Sequence, residues 1–348
     1  MKPVAVLAAS LAIGASFAVP RAADAQAAAT APLSSCSPAG DLSFVCGLFN
    51  VEDFLPVGSH WLVGGSFKAG SAGLYLIDTS AKTAKAVALS IASKPDPAYG
   101  GCAAPDLKAL TTHGLDVTGG RGGITTVYAV NHGGRESVEV FRLDAAKASA
   151  EWIGCVVLPP GANGNSVAAL AKGAFVVTKF LDNGDKESFQ HILAGQINGT
   201  VYLWTPGKGF SEVPGTQLSG DNGIAASRDG KWLYVNAYGT QEIYRVPLSG
   251  KGERSSVKVD FHPDNLRWAP DGKLFVTGQF LNPQSGGAPG GPDAWATVRL
   301  DPQTMTVTPV VKEAGLPQFS DATTAVQVGK TLWFGTFRGD RIAYRPAP

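Results

Sequence analysis

Short apolar segments, rich in β-branched and aromatic residues, recur along the chain and are separated by turns that contain glycine. Residues 221–235 form the clearest unit, in which the turn Asp229-Gly230 separates two such segments. Residues 264–276 repeat this arrangement around Asp271-Gly272. Asp-Gly between two strand-like segments is a strong signal for a β-hairpin. The pattern therefore predicts a chain of antiparallel hairpins.

The hairpins recur at a regular spacing. The Asp-Asn pairs that open the two units are 43 residues apart, and residues 321–334 form a weaker copy. A repeated unit of four strands is typical of a β-propeller. The steps between units average about 54 residues, which suits six blades. We therefore predict an all-β, six-bladed propeller with four-stranded blades, which start near Glu52, His113, Asn165, Asn222, Asn265 and Asp321.

Helical periodicity is nearly absent from the sequence. Residues 185–193 are the best helical candidate, and they interrupt the third predicted blade. The sequence thus predicts a short helical insertion in blade three.

Composition agrees with this interpretation. The 348 residues include 43 glycines and 23 prolines, only 16% are charged, and the net charge is +1. These values exclude a disordered chain, a coiled coil and a nucleic-acid-binding protein with a basic face. The length would allow two domains, but closed β folds of this size often form one.

The N-terminal residues resemble an export signal. Lys2 precedes an apolar stretch of small residues, and Ala23-Asp24-Ala25 fits a cleavage site. We predict a signal peptide over residues 1–25, with export to the periplasm or the medium. Residues 26–45 would form a flexible leader and a possible closing strand, and residues 46–348 a single propeller domain. No later stretch is apolar for long enough to span a bilayer.

Export permits disulfide bonds. The four cysteines allow three pairings, of which we favour Cys36–Cys46 and Cys102–Cys155. Their spacing does not indicate a zinc site.

Polar residues stand where the predicted blades begin. The first strand of each propeller blade lines the central channel, so these side chains should converge. Carboxylate and amide oxygens are the ligands that calcium prefers. The alternative is that Asp and Asn cap local turns. The residues concerned are Glu52, Asp53, His113, Asn165, Asn222, Asp264 and Asn265.

Two of the five histidines fall in one predicted blade. His113 opens its first strand and His132 ends its second, so both imidazoles could meet at one rim. Such a pair could hold a neutral base near pH 7, although two unrelated loop histidines remain an alternative. His262, two residues before Asp264, and His191 are secondary candidates for a substrate pocket.

Several segments in chain order resemble the paraoxonase/arylesterase family, calcium-dependent lactonases on a six-bladed propeller related to the gluconolactonase/senescence-marker proteins. The matching segments are Glu52-Asp53 and residues 112–115, 130–132, 137–141, 158–165, 221–224, 264–266, 335–336 and 342–344.

The resemblance implies a set of site residues. A catalytic calcium would be held by Glu52, Asn165, Asn222, Asp264 and Asn265. His113 would be the base that activates water, and His132 would orient and assist it. The insertion at residues 185–195 would be a shortened lid that controls access.

Two positions depart from the family pattern. Its second, structural calcium uses two aspartates and a backbone carbonyl. Asp53 and Leu115 match, but Ser166 stands where the second aspartate is expected, so the sequence leaves the second ion open. Arg345 stands where the family has a C-terminal cysteine.

The resemblance implies hydrolysis of small lactones or aryl esters. One alternative is a sugar lactonase of the gluconolactonase type, with metal ligands Glu52, Asn165 or Asn222, and Asp264, in which Asp264 is the base. A second is a non-catalytic propeller that calcium stabilises. A serine hydrolase is not supported, because no G-x-S-x-G motif occurs. The sequence leaves the oligomeric state open.

Overall fold

The computed structural model describes residues 35–119, 123–281 and 293–348. Within these ranges the chain forms six β-sheets and almost no helix. The predicted six-bladed propeller is therefore confirmed. Blade one consists of β2 (Phe54–Val57), β3 (Trp61–Gly65), β4 (Leu74–Asp78) and β5 (Thr83–Ala86), and blade two of β7 (Thr112–Gly119), β8 (Ile124–Asn131), β9 (Ser137–Asp144) and β10 (Ser149–Val157). Blade three consists of β11 (Ala162–Ala169), β12 (Phe175–Asp182), β13 (Thr200–Thr205) and β14 (Gly209–Glu212), and blade four of β15 (Asp221–Ala226), β16 (Trp232–Ala237), β17 (Glu242–Pro247) and β18 (Ser255–Lys258). Blade five consists of β19 (His262–Trp268), β20 (Leu274–Phe280), β21 (Ala294–Leu300) and β22 (Val307–Glu313), and blade six of β23 (Ala322–Val328), β24 (Thr331–Thr336), β25 (Arg341–Pro346) and β1 (Ser43–Cys46).

The first strands of the blades form a closed ring. Strand β2 packs against β7, and the contacts continue through β11, β15, β19 and β23 back to β2. Blade two has an additional strand, β6 (Ala88–Ile91), which pairs in parallel with β10. The ring brings residues that are far apart in sequence to one axis.

Burial follows the position of each strand in its blade. The second strands β3 and β16 are buried at every residue but the first because neighbouring blades cover both faces, whereas the outer strands β5, β14 and β18 are mostly exposed. The hydrophobic clusters lie between adjacent blades. One of them packs Val63 and Leu76 of blade one against Val127 and Phe141 of blade two. This burial drives ring closure.

The N-terminal strand closes the ring. Strand β1 pairs antiparallel with β25, with Val45 opposite Ile342, and supplies the outer strand of blade six. Both ends of the propeller domain are therefore joined in one sheet, and the closing strand spans the predicted domain boundary at residue 46.

Two disulfides fix the chain near this closure and in blade two. Cys36 is bonded to Cys46, the last residue of β1, and Cys102 is bonded to Cys155 of β10. These are the favoured pairings.

Replacing Cys102 and Cys155 by serine should destabilise the fold. Their bond closes 53 residues, for which chain entropy predicts about 4 kcal/mol, against about 3 kcal/mol for the 10-residue loop of Cys36–Cys46. Thermal unfolding of both double variants under non-reducing conditions measures the difference. Equal unfolding temperatures for wild type and the Cys102/Cys155 variant would contradict the expectation.

A six-residue helix, α1 (Ser188–Leu193), lies between β12 and β13, as predicted for blade three. Its Ile192 is fully buried, and the Ile192 carbonyl accepts a hydrogen bond from Ser219 Oγ at 3.0 Å. No helix in the described part of the chain is long and apolar enough to cross a membrane. The predicted signal peptide lies outside the described residues, as does the leader as far as residue 34.

Candidate active site

Most of the residues predicted at the blade starts lie at register shifts in the first strands, whereas Glu52 and Asp53 directly precede β2. In β7, β11, β15, β19 and β23 the pairing with the second strand skips one or two residues near the strand start. Register shifts of this kind are typical of β-bulges, which redirect side chains and are common beside active sites. The skipped residues are His113-Gly114, Asn165-Ser166, Asn222-Gly223, Asp264-Asn265 and Thr323.

Two of these positions require glycine. A Cβ on Gly114 would lie 2.5 Å from the carbonyl oxygen of Asn165, and one on Gly223 would lie 2.2 Å from that of Asp264. Neighbouring first strands therefore approach too closely for a side chain. The glycines after His113 and Asn222 allow the channel to narrow around the site.

Two buried carboxylates and two amides meet in the ring. Asn265 Nδ2 donates a hydrogen bond to Glu52 Oε1, and Gln279 Nε2 donates to Asp264 Oδ2 at 2.8 Å. Burial, with the nearby Asp264 and Asp53 charges, raises the pKa of Glu52 well above its usual value, and Arg267 opposes this rise. Burial also raises the pKa of Asp264 to about 7. A cation bound between the two carboxyl groups would favour their charged forms.

Four predicted calcium ligands each keep one buried oxygen without a hydrogen-bond partner. These atoms are Glu52 Oε2, Asn165 Oδ1, Asn222 Oδ1 and Asn265 Oδ1. Buried oxygens are normally satisfied, so such a group suggests an absent partner. All four are hard oxygen ligands, which suit calcium.

The donor set depends on amides. No group of three or more His, Cys, Asp or Glu side chains in the described ranges is arranged to hold a metal. Two carboxylates and three amides fit an oxygen-ligated calcium and do not fit zinc.

His113 and His132 form a relay that ends on Glu136. His113 Nδ1 lies 3.0 Å from His132 Nε2, and His132 Nδ1 lies 2.9 Å from Glu136 Oε1. Glu136 also accepts hydrogen bonds from Asn163 Nδ2 at 3.1 Å and the Gly164 amide at 3.2 Å. His113 Nε2 lies 3.8 Å from Glu52 Oε2, one of the four unpartnered oxygens.

The relay sets the tautomers of both imidazoles. A carboxylate only accepts hydrogen bonds, so the contact with Glu136 places the His132 proton on Nδ1 and leaves Nε2 as an acceptor. His113 then donates from Nδ1, and its Nε2 lone pair points toward the Glu52 side. Burial, and secondarily His132, lowers the pKa of His113 well below its usual value. His113 therefore presents an unprotonated nitrogen to the oxygen cluster.

Aromatic side chains lie beside the relay and beside α1. Phe67 stacks on His113 with ring centroids 4.2 Å apart. In blades three and four, Phe189 of α1 contacts Phe180 and Tyr238. Both groups offer apolar surface to a substrate.

The two secondary histidines differ in position. His262 packs on Tyr238, whose hydroxyl donates to Gln279 Oε1 at 3.2 Å, and Gln279 bonds Asp264. His262 therefore lies beside the oxygen cluster. His191 is 38% exposed and pairs with Asp185, 3.0 Å away, on the outer side of the insertion. The structure does not bring His191 to the other site residues.

The residues suggested for a second calcium surround a guanidinium group. Arg267 binds both carboxylate oxygens of Asp53 and donates to the Leu115 carbonyl at 3.0 Å. Ser166 is buried, and its hydroxyl has no partner. The Asp53–Leu115 position therefore contains a cation supplied by the chain, and these residues do not fit an additional calcium.

A cavity of about 540 Å³ lies at the other end of the channel. It is lined by later residues of the first strands, among them Asp116, Ala169 and Trp268. The predicted site residues stand at the starts of the same strands, so this cavity is separate from the relay.

Sequence reasoning missed Phe67, Glu136, Arg267 and Gln279. Glu136 follows His132 by four residues across the β8–β9 hairpin, a spacing that could have indicated a partner. Arg267 is a charged residue in an otherwise buried first strand, which was also a signal. The sequence around Phe67 and Gln279 gave no such indication.

If the chain hydrolyses esters, as the resemblance implies, Glu136→Gln should lower kcat by about 10- to 100-fold, because the amide can donate to His132 and reverse the tautomers along the relay. The unfolding temperature of Glu136→Gln should stay near that of the exposed control Glu151→Gln. An unchanged kcat and pH profile would show that Glu136 does not orient the relay.

Comparisons with known proteins agree with this architecture. Residues 117–278, just under half of the chain, match the SMP-30/Gluconolactonase/LRE-like region. No curated protein matches the sequence.

Solved structures share the fold at low sequence identity. A putative gluconolactonase is 14% identical with a TM-score of 0.54, over 89% of this chain and 93% of its own. A luciferin-regenerating enzyme is 14% identical with a TM-score of 0.53, over 86% and 92%. A gluconolactonase from Xanthomonas campestris is 17% identical with a TM-score of 0.52, over 89% and 91%. The chain is therefore a six-bladed propeller whose residues 117–278 are similar to the SMP-30/Gluconolactonase/LRE-like region.

Proposed function

We propose that this chain is an exported, calcium-dependent hydrolase of small lactones or aryl esters. The observation that carries the proposal is the placement of four unpartnered buried oxygens beside a neutral histidine base. The match to a gluconolactonase-like region supports hydrolysis of a lactone in general.

Glu52, Asn165, Asn222, Asp264 and Asn265 would hold the calcium through side-chain oxygens. When bound, the ion supplies Lewis-acid polarisation of an ester carbonyl.

Protein side chains remove the proton from water, orient the imidazoles and shield them from solvent. His113 Nε2 removes a proton from the attacking water, while its Nδ1–H stays bonded to His132. Glu136 holds His132 in the orientation that accepts this bond. Phe67 covers one face of His113 and limits its contact with bulk water. When the tetrahedral intermediate collapses and the ring C–O bond breaks, the proton on His113 Nε2 passes to the leaving alkoxide oxygen, which restores the neutral imidazole.

A substrate panel tests the proposal. Lactones of several ring sizes and activated aryl esters are offered to the purified protein, and proton release is followed. Activity should disappear with a chelator and return with added calcium. Activity that survives chelation would exclude the metal mechanism.

A sugar lactonase with Asp264 as the base is the second candidate. It is favoured by the family match and by the pKa of Asp264, which burial raises to about 7. Comparing His113→Gln with Asp264→Asn at saturating calcium separates the two. Full activity in the histidine variant and none in the aspartate variant would identify Asp264 as the base.

A non-catalytic propeller is the third candidate. It predicts that calcium raises the unfolding temperature while no lactone or ester in the panel is hydrolysed.

The two disulfides in the described residues are consistent with an exported protein.

The mature protein should begin at Gln26, and N-terminal sequencing measures this. A mature protein that begins at Met1 would contradict the predicted cleavage.

A further inference from the structure

Arg267 is a buried cation near the axis of the propeller. Its side chain is only 5% exposed, and Asp53 is fully buried. Arg267 Nε donates to Asp53 Oδ1 at 2.9 Å, and a terminal nitrogen donates to Asp53 Oδ2. This two-point geometry matches a guanidinium to a carboxylate.

The other Arg267 donors bind backbone. One terminal nitrogen donates to the Leu115 carbonyl at 3.0 Å, and the other donates to the Leu266 carbonyl at 2.8 Å. The Leu115 amide in turn donates to Asp53 Oδ2 at 2.9 Å. The guanidinium is thus surrounded by a carboxylate and carbonyls, which are also calcium-type ligands.

The position already holds a cation of its own. Asp53 is the strongest of the buried carboxylates that stabilise the Arg267 charge, ahead of Asp116 and Glu52. The neutral Ser166 stands where a second aspartate was expected, so it adds no negative charge. A calcium ion at Asp53 would lie beside the guanidinium, and the repulsion between the two cations disfavours its binding there.

The contacts also fix the strands that carry the site. Asp53 adjoins Glu52, Leu115 lies two residues after His113, and Arg267 lies two residues after Asn265. Arg267 therefore links blades one, two and five directly below the relay and the oxygen cluster.

We propose that the Arg267 guanidinium replaces a structural calcium in this chain, so that the core of the ring is held by a permanent internal cation. The protein then binds no more than one calcium, and the Asp53 position is insensitive to chelation.

Calcium titration of metal-free protein by calorimetry gives the first test. At most one calcium per chain is expected, and two would overturn the inference. A stoichiometry of zero would refute the calcium site of the proposed function while agreeing with the role of Arg267.

Variants provide the second test, with thermal unfolding measured in chelator. Arg267→Met leaves Asp53 buried without a counter-charge and should lower the unfolding temperature by about 10 °C. The exposed control Arg228→Met should change it by about 1 °C or less. A wild-type unfolding temperature for Arg267→Met would overturn the inference.

Two double variants address a failure of Arg267→Met to fold. Asp53→Asn with Arg267→Met removes the unpaired carboxylate and should recover at least half of the lost stability. Ser166→Asp with Arg267→Met restores an acid pair around an emptied position, so it should bind one more calcium than wild type and unfold at higher temperature when calcium is added. If the Ser166→Asp/Arg267→Met protein folds but binds no additional calcium, the proposal that the Arg267 guanidinium takes the place of a calcium ion is contradicted.

Discussion

His113→Gln is expected to lower kcat for lactone or aryl ester hydrolysis by about 10²- to 10⁴-fold, the usual contribution of a general base. Glutamine retains a similar size but offers no basic nitrogen toward the Glu52 side. Initial rates by proton release, with calcium saturating, measure the loss.

The pH profile gives a second readout for His113. Burial and His132 lower the pKa of His113, and only the neutral imidazole accepts a proton. With calcium saturating, so that Glu52 and Asp264 stay charged, the fall in wild-type activity caused by protonation of His113 should therefore lie below the pH at which a free histidine titrates. His60→Gln is the matched control, because His60 lies in a surface turn beside Ser59. Equal rates for the two variants would remove His113 from the mechanism.

Glu52→Gln is expected to weaken calcium binding on the order of 100-fold, since calcium affinity in proteins depends strongly on the number of charged ligands. The change removes one of two carboxylates in the proposed ligand set while preserving shape. Calorimetric titration of metal-free protein measures the affinity, and activity against calcium concentration should shift by a similar factor.

Asp271→Asn is the control for Glu52→Gln, because Asp271 lies in the exposed turn of blade five. If Glu52→Gln binds calcium as wild type does, Glu52 is not a ligand. Its buried oxygen would then need another partner.

Much of the fold could be read from local pattern. The hairpins around Gly230 and Gly272 appear in the structure as β15–β16 and β19–β20. Hairpins are encoded locally, because turn type and alternation act over a few residues. The short helix in blade three was also predictable, and it covers Ser188–Leu193.

The candidate site was predictable in part. His113, Asn165, Asn222, Asp264 and Asn265 lie at register shifts of the inner strands, and Glu52 reaches Asn265 from just before β2. Glu136 and Arg267 were missed because their partners lie in other strands or blades, so no local spacing reveals what they bind. His191 was suggested for the pocket, but its partner Asp185 holds it on the outer side of the insertion.

The local sequence pattern is sufficient to predict a ring of β-hairpins with histidine, amide and carboxylate side chains at the blade starts. Alternation and turn residues encode those features within each blade. The folded chain was needed to show that His113 Nδ1 contacts His132, which leaves Nε2 facing Glu52, and that a guanidinium fills the Asp53–Leu115 position. Both depend on contacts between distant segments, such as Arg267 with Asp53, which form only when the ring closes.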